Sequence, residues 1–308
     1  MLFAAQPSVD AHPAFAALPA RAVSVGRAGE HLAVHVSGAL DGARPPLLAL
    51  AGFQRNMSDF ADFAQLFPRL AGSDWPLIFI DLKGRGRSTP RRTLGEYLTQ
   101  TDAQDVIGVL AALGVPRVVC LGQGHGGLVA MLMARDAPRL SAGTILIDAA
   151  PVTEIRGLVR LKNNLDDLVG RRSETAFRSM VRRMLSADYP SLGDERLMAI
   201  GQRTHVLDRR GRVHGLFDPR LQDLLRAFEH DDVLAPQWSL FDALRGQRLM
   251  LVRTQRTDLV RRDVFDEMAR RRPDAKRHII EGQGSPALLD TIADVDPIAR
   301  FASDAMKA

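Results

Sequence analysis

The chain has 308 residues, of which 46% are hydrophobic, with 41 Lys or Arg against 36 Asp or Glu and a formal charge of +5. That is enough apolar material for a large buried core, in one domain with an insertion or in two. No apolar run approaches the roughly 20 residues a membrane helix needs, and the opening MLFAAQPSVDAHPAF has neither a charged leader nor a long apolar stretch.

A signal peptide and a membrane partner are therefore not expected, and a reducing cytoplasm is the expected compartment. Only Lys83, Lys162, Lys276 and Lys307 are lysines. The arginines, such as Arg171-Arg172 and Arg270-Arg271-Arg272, are scattered among acids without interleaved aromatics, so no nucleic-acid partner is expected. The single cysteine, Cys120, excludes an intramolecular disulfide and lies in an apolar run, where an inert buried thiol is expected.

In chain order the strand-like runs are RAVSVG, HLAVHVSG, PLLALAG, PLIFIDL, RVVCLG and GTILIDA, then RLMLVR and RHIIEG. Helix-like stretches separate several of them, including DFADFAQLFPRLA, TQTDAQDVIGVLAALG and the segment after RVVCLG. Strands alternating with helices predict a mostly parallel sheet covered on both faces. From Val152 to Asp242 the pattern changes to helical spacing in EIRGLVRLKNNLDDLVG, TAFRSMVRRMLSA and DPRLQDLLRAF, with no run that reads as a buried strand. The prediction is an α/β core, residues 1–151 and 243–308, with a helical cap, residues 152–242, inserted after the sixth strand.

In such a sheet the ligand site lies beyond the carboxyl ends of the strands. The residues found there are Gly52-Phe53, the turn from Asp81 to Ser88, Gln123-Gly124-His125-Gly126-Gly127, Thr254 to Asp258, and Glu281 to Pro286. This series resembles the α/β-hydrolase superfamily from about Leu47 onward, and within it small capped bacterial hydrolases of esters, lactones or carbon–carbon bonds. The resemblance implies an eight-stranded sheet, an oxyanion loop H-G-x, a turn D-x-R-G-x-G-x-S, a nucleophile elbow G-x-S-x-G, a triad acid and a triad histidine.

Measured against that pattern, the elbow Gly122-Gln123-Gly124-His125-Gly126 carries Gly124 at the nucleophile position, and no acyl-enzyme can form there. Ser285 stands where the resemblance implies the histidine base, and Asp258 alone remains at the acid position. Ala51-Gly52-Phe53 replaces His-Gly-x, but the donors implied for an oxyanion are the backbone N–H groups of Phe53 and His125, which need no particular side chain. Loss of the Ser-His-Asp mechanism is expected, with a small carboxylate, ester or carbonyl ligand held between core and cap near Gly52, Phe53, Gln123 and His125.

Other readings remain open at this point. His125, or a cap histidine among His205, His214 and His230, could activate water directly. For Asp258, a bond to nearby backbone N–H groups or to an arginine such as Arg256 stands beside a catalytic role. His278 is expected to be structural or exposed. The run GQGHGG with Asp148 after the next strand also satisfies a dinucleotide fingerprint, although several strands precede it. A structural or regulatory subunit is a further alternative. No His/Asp/Glu cluster has metal-ligand spacing, so neither a metal nor another cofactor is expected; the expected state is monomer or homodimer.

Overall fold

Strand-forming runs and amphipathic helices alternate along the chain because each sheet face needs an apolar cover. The computed structural model describes residues 12–168 and 173–306; the first eleven residues, Val169 to Arg172 and the last two lie outside this description, and with them part of the N-terminal segment, Arg171-Arg172 and Lys307. The hairpin β1 (Arg21–Ser24) and β2 (His31–Ser37) leads to β3 (Leu47–Leu50), α1 (Ala61–Ala71), β4 (Leu77–Ile80), α2 (Thr99–Ala112), β5 (Val118–Gln123), α3 (His125–Asp136) and β6 (Ser141–Ile147). After an excursion over residues 148–248 the chain returns through β9 (Leu249–Thr254), α9 (Arg262–Arg271), β10 (Lys276–Ile280) and α10 (Ile292–Ala305). The eight strands lie in the order β1-β2-β4-β3-β5-β6-β9-β10, with β2 antiparallel to both β1 and β4 and all other pairs parallel.

Strand alternation sorts the apolar residues into two cores. Leu47, Ala49, Phe79, Leu121, Ile145 and Val252 face α1 and α10, where Phe63, Phe67, Ile298 and Phe301 cover them. Leu48, Leu50, Ile78, Cys120, Leu146 and Leu251 face α2, α3 and α9. Each fully buried Phe or Leu contributes about 1.5–3 kcal/mol relative to exposure, which holds the carboxyl ends of the strands in one rigid row. Cys120 belongs to the second core, and burial pushes its thiol up to about 12.

The excursion contains α4 (Ile155–Leu168), α5 (Glu174–Leu185), α6 (Asp194–Gln202), β7 (His205–Leu207), β8 (Val213–Gly215), α7 (Arg220–Arg226) and α8 (Trp238–Asp242). Beside the expected helices the cap carries the mostly half-buried β7–β8 hairpin, whose three-residue arms are too short to show alternation in sequence. This region has a small core of its own, Phe177, Met180, Val181, Tyr189, Leu197 and Ile200, completed by Leu288 from the loop after β10.

The turn after β4 fastens the cap to the sheet. The N–H of Gly86 donates to Leu216 O at 2.8 Å, that of Asp218 to Gly84 O at 2.7 Å, and the Tyr97 hydroxyl to Asp218 Oδ2 at 2.5 Å. Its basic residues are engaged internally: Lys83 pairs with Glu30 at 2.6 Å, and the Arg85 guanidinium donates to Phe53 O and Lys83 O at 2.8 Å each.

Candidate functional site

The end of β5 runs through a turn so tight that three glycines have no room for a Cβ. One on Gly122 would lie 2.4 Å from Gly126 O, on Gly126 2.2 Å from Leu50 O, and on Gly127 2.2 Å from the Ala149 methyl. Gly124, at the tip, differs from them. Its φ of 49° and ψ of −114° are strained for an L-residue, yet a Cβ there would meet only Leu259 Cδ1, at an ordinary 3.8 Å. The turn therefore keeps the architecture that presents a side chain to the site, and presents none. Of the three glycines that match a dinucleotide fingerprint in GQGHGG, Gly122 and Gly127 serve packing between β5, α3 and their neighbours, and the third, Gly124, is the open tip.

Ser285, in the loop after β10, lines the same cavity as the elbow. Its hydroxyl donates to Asp148 Oδ2 at 2.5 Å and so accepts from the Thr257 hydroxyl at 2.9 Å. Asp148 immediately follows β6 and also accepts from Thr254 N at 2.8 Å and Thr254 Oγ1 at 2.7 Å. Burial pushes its carboxyl up to about 6, outweighing the bonds from Ser285 and Thr254. Asp258, at the implied acid position, is turned to the cap: it forms an ion pair with Arg160 of α4, which also binds Asp188 at 2.8 Å. The arginine partner is thus Arg160, not Arg256, whose guanidinium reaches Ala187 O at 3.5 Å. The three implied triad positions do not form a relay, because the carboxylate bonded to residue 285 is Asp148.

Two backbone N–H groups at the ends of β3 and β5 are left open. Gly52-Phe53 follows β3 and His125 opens α3; neither the Phe53 N–H nor the His125 N–H is bonded to another described residue. The two aromatic rings meet edge to face with centroids 5.5 Å apart. His125 Nε2 lies 2.9 Å from Asp102 Oδ2 of α2. Burial alone would raise the Asp102 carboxyl, but Arg85, His125 and Arg91 outweigh it and hold it well below the usual carboxylate range. Since that carboxylate accepts, His125 donates from Nε2, leaving Nδ1 as the ring's acceptor. Burial lowers the pKa of His125 more than Asp102 raises it, so the ring is neutral at pH 7.

Above this floor lies a cavity of about 560 Å³ between sheet and cap. Its walls are largely aliphatic, from Leu158 and Leu161 of α4 to Leu224, Phe228 and Leu234, and its floor includes Phe53, Gln123, Gly124, His125, Asp148 and Ser285. Gln123 donates to Ala287 O at 3.2 Å while its Oε1, like both amide atoms of the neighbouring Gln54, has no partner. His205 of β7 reaches the same cavity, and burial with the charge of Arg55 pushes its pKa down to about 3. His214 instead meets Asp208 at 3.0 Å and lines a smaller space on the cap side, and His230 is exposed. His278 is half-buried on β10.

Sequence reasoning did not single out Asp102, Asp148 as the partner of residue 285, or Arg160. Each belongs to an element 20 to 140 residues from its partner in the chain, and no spacing rule links them. Among the described residues no group of three or more His, Cys, Asp or Glu could hold a metal ion, and no helix is long and apolar enough to cross a membrane.

Strand order, elbow, oxyanion turn and inserted cap together define an α/β-hydrolase architecture. The chain matches the family profile for the alpha/beta hydrolase fold over residues 45–290, and it belongs to that family. It is similar to the crystal structure of an α/β hydrolase from Novosphingobium aromaticivorans DSM 12444, with a TM-score of 0.80 and 28% identity over 93% of this chain and 98% of that one. It is also 28% identical over 256 residues to a 3-hydroxybutyrate-oligomer hydrolase of Cupriavidus necator, covering 79% of this chain and 83% of that protein. To a human serine hydrolase-like protein it is 31% identical over 118 residues, 38% of this chain and 55% of the relative, so the match spans about half of that relative's length.

Proposed function

We propose that this α/β-hydrolase-fold protein binds a small organic carbonyl compound between core and cap and does not operate a Ser-His-Asp mechanism. The observation that carries the reading is an oxyanion turn with two unbonded N–H groups opening onto a 560 Å³ cavity, with no side chain on Gly124. An ester, lactone or ketone oxygen fits between the Phe53 and His125 N–H groups, and the leucine-rich walls take the apolar remainder. A carboxylate is the poorer ligand: Arg55 and Arg160 are the cationic groups on the lining, against Asp148, Asp188 and Asp258, and Arg55 is already paired with Asp59. On this reading the partner is a small molecule, and neither nucleic acid nor a membrane surface. Arginine pairs such as Arg178 with Glu174 and Glu195, and Arg261 with Asp263, support that part, and the protein acts as a monomer or homodimer in the cytoplasm.

The test is a thermal-shift screen of aryl and alkyl esters, lactones and ketones, with the matched carboxylates alongside. A ligand at 100 times its Kd adds about 2.7 kcal/mol of stability, a rise of several degrees in Tm. No shift across the panel overturns the reading.

A further inference from the structure

Resting on that reading of the cavity, we infer that Asp102 and His125 form a second, shorter catalytic pair that hydrolyses activated neutral carbonyl compounds by direct attack of water, without a covalent intermediate. The geometry is that of a base and its positioning residue. His125 follows the vacant elbow tip directly and lines the cavity floor. Its Nε2 is fixed by Asp102 Oδ2 at 2.9 Å. Asp102 is itself held by Arg91 at 2.7 Å and Arg85 at 3.2 Å, so the imidazole cannot swing without breaking a buried charge cluster. Nδ1 is left to accept a proton, and the space that a serine side chain would fill at residue 124 is wide enough for water, since a Cβ there meets only Leu259 Cδ1.

The step balances without a cofactor. Water bound beside Gly124 forms a bond from its oxygen to the carbonyl carbon while His125 Nδ1 takes one of its protons. The oxyanion rests on the Phe53 and His125 N–H groups. Collapse breaks the bond to the leaving alkoxide or phenoxide, which recovers the proton from Nδ1, giving carboxylic acid and alcohol. The groups facing the imidazole are the Asp102 carboxylate from α2, the Arg85 guanidinium from the turn after β4 and the Phe53 ring. Because Arg85 and Arg91 already neutralise Asp102, the carboxylate orients the ring more than it strengthens the base, which restricts turnover to good leaving groups.

The experiment uses the full chain with p-nitrophenyl acetate and butyrate, measured as initial rates, together with the melting shift given by the non-hydrolysable aryl ketone of the same shape. Saturable hydrolysis is expected, with kcat/KM reduced at least ten-fold in His125→Gln, whose amide stays within reach of Asp102, and unchanged in His214→Gln on the outer hairpin. The wild-type rate falls on the acid side as His125 takes up a proton. Asp102→Asn moves the midpoint of that limb to lower pH and lowers kcat more than it raises KM, a displacement that mere loss of packing does not produce. Because Asp102 also holds two arginines, that variant is read beside its melting curve, and His125→Gln decides. A ketone-induced shift without saturable hydrolysis, or a rate unchanged in His125→Gln, overturns the inference while leaving the binding reading intact. No ketone shift and no hydrolysis overturn both.

Discussion

Placing a side chain back on the elbow separates strain from steric exclusion. At Gly124 the backbone conformation is costly for any L-residue, by about 1–3 kcal/mol, but no neighbour has to move, the nearest atom being Leu259 Cδ1 at 3.8 Å. A non-glycine residue also lowers the entropy of the unfolded chain, recovering about 0.4–1 kcal/mol. Gly124→Ser is thus expected to lose about 1–2 kcal/mol, a fall in Tm of roughly 1.5–3 °C for a chain of 308 residues. At Gly126 the φ is ordinary but a methyl would lie 2.2 Å from Leu50 O and 2.8 Å from Ala51 O, both backbone atoms at the carboxyl end of the interior strand β3. Neither can retreat without shifting β3, so Gly126→Ala is expected to lose more than about 3 kcal/mol, at or beyond the upper end of overpacking costs. Urea denaturation of the two variants and the parent, fitted with a common m-value, measures both differences. Equal losses, or a larger loss at Gly124, would refute the account of the elbow as a sterically closed turn with one open position.

Asp148 sets a pH dependence with a definite sign. Its carboxyl is raised from 3.8 to about 6 in the fold, so the folded state holds a proton that the unfolded chain has released between those values. The associated stability is present below pH 4 and lost as pH rises through 6; Asp148→Asn should therefore gain roughly 3 kcal/mol relative to the parent between pH 4 and 7, read from melts at each pH, and a flat difference would contradict the assignment. Ser285→Ala removes the 2.5 Å donor to that carboxylate and should cost about 1.5–3 kcal/mol at pH 8, with a smaller loss at pH 5, in the same assay. Arg160→Ala unpairs Asp258 and Asp188 where α4 meets the core; hydrogen exchange across Ile155–Leu168 should quicken while global stability drops by only about 1 kcal/mol. Unchanged exchange there would show that the ion pair does not hold the cap.

The sheet was legible in the linear order of apolar runs because a parallel strand buried on both faces reads as Val/Ile/Leu continuity, and all eight runs became strands. The elbow was equally legible, since Gly122, Gly126 and Gly127 mark close backbone approach within one short segment, and so was the vacancy at Gly124, which depends only on residue identity. The hairpin β7–β8 was missed because three residues per arm leave no period to detect. What tertiary structure alone decided is which charged groups meet. Asp258 turns to Arg160, Asp148 takes the bond to Ser285, and Asp102 reaches His125 from another helix. Those pairings depend on how separate elements dock, and side-chain electrostatics acts over a few ångströms of space whatever the distance along the chain.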